Sequence, residues 1–291
     1  GNKDEPSSRG RLCARGHAII KIAYHKDRIT HPMKRISENN YVPISWDQAY
    51  SEISTKLKGL LAAHGPENMV YTENPKPTSS FYWKRFMAAI GSATTQTHHS
   101  LCFNSRTAGN DYTIGPLATA DVSNAKYVMF LGRNYAEGLS PSNTASLTTA
   151  YEKGAKVLIV DPRHSAACIL ATEWVPIKAG TDLGLLLAMA HVMIKENLYD
   201  KEFVEKYCLG FDEFKAEMAK WTPEWAETVT GISAAKITEI AREMAAQKPA
   251  ACIEQGYKAP NGSNYINGPD TFRMMAMING LLGNFNQKGG L

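Results

Sequence analysis

No stretch of this 291-residue chain is long and apolar enough to span a bilayer. The longest apolar run, Leu183 to Ile194, covers only about 12 residues and contains His191, so it reads as a buried helix. No apolar leader opens the chain, which begins Gly1-Asn2-Lys3-Asp4-Glu5. No basic run is interleaved with aromatics as a strand-binding platform needs, so nucleic acid is not indicated, and the net charge of +4, from scattered Lys and Arg, fits an anionic ligand and equally an ordinary surface. No two of the five cysteines (Cys13, Cys102, Cys168, Cys208, Cys252) form a Cys-x-x-Cys pair. That argues against a clustered zinc site and against a disulfide framework. Cys168, Cys208 and Cys252 read as small buried hydrophobes. No Gly-x-Gly-x-x-Gly follows a strand, which disfavours an ordinary nicotinamide fold. Internal repeats and low-complexity segments are also absent.

What is present is the composition of a globular protein, 44% hydrophobic and 21% charged. Continuous apolar, β-branched runs at Tyr127 to Leu131, Lys156 to Val160 and Ala250 to Glu254 read as strands buried on both faces. A shorter run lies at Met69 to Thr72. Helical patterns stand between and after them, at Phe81 to Ile90, Phe103 to Tyr112 and Asn143 to Lys153. The fold class is therefore α/β: a parallel, Rossmann-like sheet with helices on both faces. The second half is helix-rich, with helices expected at Asp182 to Glu196, Lys201 to Tyr207, Asp212 to Lys220, Pro223 to Val229, Ser233 to Ala246 and Thr271 to Leu282. Thr181 or Asp182 is positioned to cap the first of these and Ser233 another. The first 45 residues read as an irregular lead-in.

Ligands of open parallel sheets bind where strand ends run into helix starts. That rule selects Gly132-Arg133-Asn134, with Glu137 just beyond, then Asp161-Pro162-Arg163 with Ser165, and Gly180-Thr181-Asp182. Backbone N–H groups with Arg133 or Arg163 suit a diphosphate. Asp161 or Asp182 suits the paired N–H groups of a guanine or pterin edge. Read from the residues alone, each segment is equally a structural turn.

Taken in order, the segments resemble the large subunit of the dimethyl sulfoxide reductase superfamily. Gly10-Arg11-Leu12-Cys13-Ala14-Arg15-Gly16 is similar to the segment carrying the last cysteine of that family's N-terminal 4Fe–4S cluster. Asp27-Arg28-Ile29-Thr30-His31-Pro32-Met33-Lys34-Arg35, Ile44-Ser45-Trp46-Asp47-Gln48-Ala49, Asn197-Leu198-Tyr199-Asp200-Lys201-Glu202-Phe203 and Gly283-Asn284-Phe285-Asn286-Gln287-Lys288-Gly289-Gly290 are similar to further landmarks. The three strand-end segments fall in the family's order.

The resemblance implies molybdenum (or tungsten) held by a bis-pterin guanine dinucleotide. Cys102, on the loop His98-His99-Ser100-Leu101-Cys102, then supplies the protein thiolate, a soft ligand suited to the metal. It implies His99 near the catalytic pocket, His98 and Arg15 beside the cofactor, Arg15 lying between cluster and pterin, and Cys13 as a cluster ligand. It carries over the strand-end residues named above as dinucleotide contacts. The activity implied is two-electron redox on a small-molecule substrate, with electrons relayed through the cluster and an electron-transfer iron–sulfur subunit as partner. Two other readings stand beside it. One is a non-redox hydratase of the same superfamily, which Cys102-Phe103-Asn104-Ser105-Arg106 also resembles. The other is a silent fragment binding only a nucleotide moiety. The implied organisation is a cluster lead-in (1–45), a first α/β segment carrying the metal-ligand loop (46–125), and a dinucleotide-binding domain (126–291). No cysteine precedes Cys13, so the chain reads as a fragment expected to hold neither cluster nor metal when alone. The compartment stays open between cytoplasm and periplasm, the latter reached through a removed twin-arginine leader.

Overall fold

The computed structural model describes residues 1–73, 77–97, 102–115, 117–137, 140–256 and 265–291. The chain divides into two compact units, one of residues 12–98 and one of residues 1–11 with 99–291.

The smaller unit opens with helix α1 (Ala14–Ala23), for which Cys13 is the N-cap residue. Strands β1 (Met33–Ser37) and β2 (Asn40–Pro43) follow as an antiparallel hairpin. The turn works because Asn39 takes a positive φ of 57°, a conformation Asn tolerates better than most side chains. The lead-in is thus more regular than its sequence suggests. No β1 residue is buried, so no apolar alternation marks that strand in the sequence. Ser45 then caps α2 (Trp46–His64) by accepting the Gln48 N–H at 3.1 Å. Strands β3 (Tyr71–Glu73) and β4 (Thr95–Thr97) pair in parallel around α3 (Pro77–Ala89). Trp83 of α3 stacks on Tyr71 with ring centroids 5.2 Å apart.

In the larger unit, helix α4 (Asn104–Asp111) precedes a four-stranded parallel sheet. Its strands are β5 (Tyr127–Leu131), β6 (Lys156–Val160), β7 (Glu173–Val175) and β8 (Ala251–Glu254), in the order β7-β6-β5-β8. Every β5 residue is buried, and alternation decides where each side chain goes. Tyr127, Met129 and Leu131 join Leu158, Val160, Ala251 and Ile253 in a core beneath helices. These are α6 (Asp182–Lys195), α7 (Lys201–Tyr207), α8 (Phe211–Met218), α9 (Pro223–Thr230), α10 (Ala234–Ala246) and α11 (Gly268–Leu281). Val128, Phe130, Val157, Ile159 and Cys252 face the other way, against Leu147 and Ala150 of α5 (Pro141–Glu152). The sheet therefore carries helices on both faces, as its unbroken apolar runs require.

Ser233 caps α10, accepting from Lys236 N at 3.3 Å. Thr181 occupies the N-cap position of α6 but makes no capping bond; its hydroxyl instead donates to Lys178 O at 2.6 Å. Cys168 and Cys252 are buried, while Cys208 is half-buried.

Candidate functional site

The chain leaves β5, steps outward through β6 to β7, and returns to pair β8 on the opposite side of β5. The strand order thus reverses between β5 and β8, and in open α/β sheets that reversal opens a crevice at the carboxyl ends. Three of the sequence-selected loops leave from this edge or face it.

After β5, Gly132 adopts a φ of +57° and donates its N–H to Val160 O at 2.8 Å, which joins the ends of β5 and β6. Arg133 is 8% exposed, with its Nε 3.6 Å from Glu254 Oε1 and its guanidinium 5.2 Å from the Tyr135 ring centroid. A guanidinium expected to face a phosphate is therefore held by an internal carboxylate and an aromatic face. Asn134 Oδ1 accepts the backbone N–H groups of Ala136 (2.9 Å) and Glu137 (3.1 Å), folding the loop back on itself. Glu137 Oε2 in turn accepts from Asn134 Nδ2 at 2.5 Å and from Arg163 Nη2 at 2.8 Å. The Arg163 guanidinium holds the Glu137 carboxyl below the usual range. This exposed pair bridges the loops after β5 and β6.

After β6, Asp161 Oδ1 accepts the Arg163 N–H at 2.7 Å, and Asp161 O accepts from Trp174 Nε1 at 3.0 Å. Pro162 and Arg163 are exposed and Ser165 is buried. Gly180 has a φ of +83°, and a Cβ there would lie 3.2 Å from the Tyr265 ring, so only glycine allows this approach. Asp182 is 4% exposed. Burial, with a smaller push from the Asp161 carboxylate, raises its pKa to about 6. Asp161 follows β6 directly and Asp182 opens the helix after β7, so both carboxylates stand toward the carboxyl edge of the sheet.

Cys102 is half-buried two residues ahead of α4. The helix presses a polar face into the carboxyl end of β8. Arg106 Nη1 donates to Gly256 O at 2.6 Å, and Asn110 Nδ2 to Gln255 Oε1 at 3.0 Å. Asn110 Oδ1 and Gln255 Nε2 are buried with no hydrogen-bond partner among the described residues. Such atoms are costly to leave unmatched and ordinarily have a reason to be there. A polar, hydrogen-bonding ligand in the crevice would supply one, so the donor set fits a nucleotide-like group better than an apolar one. In the other unit, backbone N–H groups of Gly16 and Arg15 at the start of α1 lower the pKa of the Cys13 thiol, and Arg15 is exposed. His98, His99, Gly138 and Leu139 lie outside the described residues. Among the described residues no group of three or more His, Cys, Asp or Glu could hold a metal ion.

The sequence motifs do not single out Asn110, Glu254 or Gln255 as site residues. One signal was available: β8 runs Ala-Cys-Ile-Glu and is followed at once by Gln255-Gly256, so a polar pair and a glycine close an apolar strand, as Gly132-Arg133 closes β5.

Residues 28–291 match the family model described as molybdopterin oxidoreductase. The chain is 38% identical over 294 residues to the thiosulfate reductase molybdopterin-containing subunit PhsA of Salmonella typhimurium, covering all of this chain and 38% of that protein. It is 34% identical over 324 residues to the dimethyl sulfoxide reductase DmsA of Haemophilus influenzae, covering 96% of this chain and 39% of that one. The solved structure of acetylene hydratase from Pelobacter acetylenicus superposes with a TM-score of 0.82 at 28% identity, covering 96% of this chain and 39% of that chain. The chain thus spans about two fifths of the length of these relatives.

Proposed function

Because the chain belongs to the molybdopterin oxidoreductase family, we propose that it is the cofactor-gripping part of an enzyme performing two-electron redox on a small substrate. The observation that carries this reading is the convergence at one sheet edge. The Cys102 helix and the loops after β5 and β8 meet at the reversal between β5 and β8, and the loop after β6 joins them through Arg163 and Glu137.

In this reading the group held is a molybdenum or tungsten bis-pterin guanine dinucleotide, which supplies a two-electron change at the metal when bound. This chain's residues do the holding. Cys102 Sγ offers a soft thiolate to the metal. The Asp182 carboxylate accepts the paired N–H groups of a base edge, with Asp161 as the alternative acceptor. Exposed Arg163, on the loop after β6, supplies a positive charge for the diphosphate. Cys13, with Arg15 two residues on, would be one ligand of a 4Fe–4S cluster, a group that would supply one-electron relay toward an iron–sulfur partner subunit. The organisation that goes with this is a cluster lead-in (1–45), a ligand-loop segment (46–125) and a dinucleotide-binding domain (126–291).

Likeness to the Salmonella subunit makes thiosulfate, a sulfur oxyanion, the first substrate to assay with a reduced viologen donor. Likeness in fold to acetylene hydratase favours a second reading, addition of water without net redox, and turnover in the absence of any electron donor separates the two. Replacing the ligand is the direct test. In the full-length enzyme, Cys102→Ser should keep its pterin content and lose most turnover. Unchanged turnover at normal metal content would sink the assignment.

A further inference from the structure

Two independent sets of contacts meet on one short segment, Glu254-Gln255-Gly256, at the carboxyl end of β8. On one side Glu254 holds the loop after β5: its Oε1 accepts the Tyr135 hydroxyl at 2.8 Å and lies 3.6 Å from Arg133 Nε. Its Oε2 accepts the Gly256 N–H at 2.8 Å, which fixes the carboxylate to its own backbone. The neighbouring carboxylate also reinforces burial in pushing the Tyr135 hydroxyl's pKa up, so that the phenol stays a donor. On the other side, Gln255 and Gly256 receive the side chains of Asn110 and Arg106 from α4, the helix that begins just after Cys102. All of these groups are buried: Asn110 is 0%, Gln255 1%, Glu254 8% and Arg106 8% exposed.

Buried hydrogen bonds of this kind set position, because water cannot replace a lost partner. Helix α4 also cannot slide to a new register on its other side. A Cβ at Gly109 would lie 2.6 Å from Phe272 Cβ and 2.7 Å from Pro269 O of α11. The place of α4, and with it the start point of the Cys102 backbone, is therefore fixed from two directions.

We propose that Glu254-Gln255-Gly256 is a positioning segment that registers the Cys102 helix against the dinucleotide loop after β5. Glu254 acts through Arg133 and Tyr135, and Gln255 acts through Asn110. This rests on Cys102 as metal ligand. A ligand thiolate must be held to a fraction of an ångström by groups that are themselves locked in place, and these two residues join the metal side of the crevice to its dinucleotide side.

The test uses the full-length enzyme, prepared anaerobically with its cofactor. Iodoacetamide labelling of Cys102 is measured by peptide mass spectrometry as a ratio to half-buried Cys208, and bound dinucleotide is measured as GMP released by acid. In the wild type, metal should protect Cys102, and labelling should rise when metal is removed. Gln255→Leu keeps size and burial but breaks the bond to Asn110; it should raise the Cys102 to Cys208 ratio about tenfold with GMP content unchanged. Glu254→Gln should raise the ratio and also lower retained GMP. Should that variant not fold, Tyr135→Phe removes one bond to the same carboxylate and should move GMP retention in the same direction by less. Wild-type ratios and GMP content in Gln255→Leu and Tyr135→Phe would overturn the proposal, as would equal acceleration at both cysteines, which signals general loosening. Wild-type Cys102 labelling as fast with metal as without it would instead remove the ligand reading, and the proposal with it.

Discussion

Asp182 is a buried carboxylate whose electrostatic cost can be measured. Its native pKa is raised from 3.8 to about 6, chiefly by burial and secondly by Asp161. A shift of about two units corresponds to about 3 kcal/mol. Because the native pKa lies above the unfolded value, the folded chain binds the proton more tightly. Below about pH 4 both states are protonated and the residue costs nothing. Between pH 4 and 6 stability falls, and above that window the full penalty remains. Asp182→Asn keeps the shape and removes the charge. The variant should therefore be more stable than wild type by up to about 3 kcal/mol at pH 7.5, with a gain that vanishes near pH 4. Urea unfolding of both proteins at pH 4, 5.5 and 7.5 reads this directly. A variant no more stable at pH 7.5, or a gain independent of pH, would refute the reasoning. A cost retained at neutral pH is what a recognition carboxylate requires, since N–H donors of a bound base offset it. The stabilised variant should accordingly retain less GMP in the full-length enzyme.

Two further outcomes test packing and surface charge. Gly109→Ala places a methyl 2.6 Å from Phe272 Cβ. It should destabilise by about 1–3 kcal/mol, despite alanine's better helix propensity, as judged by the urea midpoint. Arg242 forms a two-pronged pair with Glu196, both bonds 2.8 Å, on the surface; Arg242→Ala should move the urea midpoint only slightly, and less still in 1 M salt.

The sheet was legible because its strands are buried on both faces, so that Tyr127 to Leu131 and Lys156 to Val160 appear as unbroken apolar runs. Cys102 stood out only through the motif around it, for a half-buried thiol before a short helix has no distinctive periodicity. Helix α4 shows what pattern reading cannot supply. Its span was expected at Phe103 to Tyr112 and is observed at Asn104–Asp111, yet its buried face consists of Ser105, Arg106, Gly109 and Asn110. Hydrophobic patterning assigns such residues to solvent. They are buried because their partners, Gln255 and Gly256, stand about 150 positions away at the end of another strand. Burying an amide or guanidinium without such a partner would cost more than leaving it in water. These polar contacts therefore form only once the sheet has brought β8 beside β5, which places the site's geometry in tertiary pairing and outside the reach of local sequence.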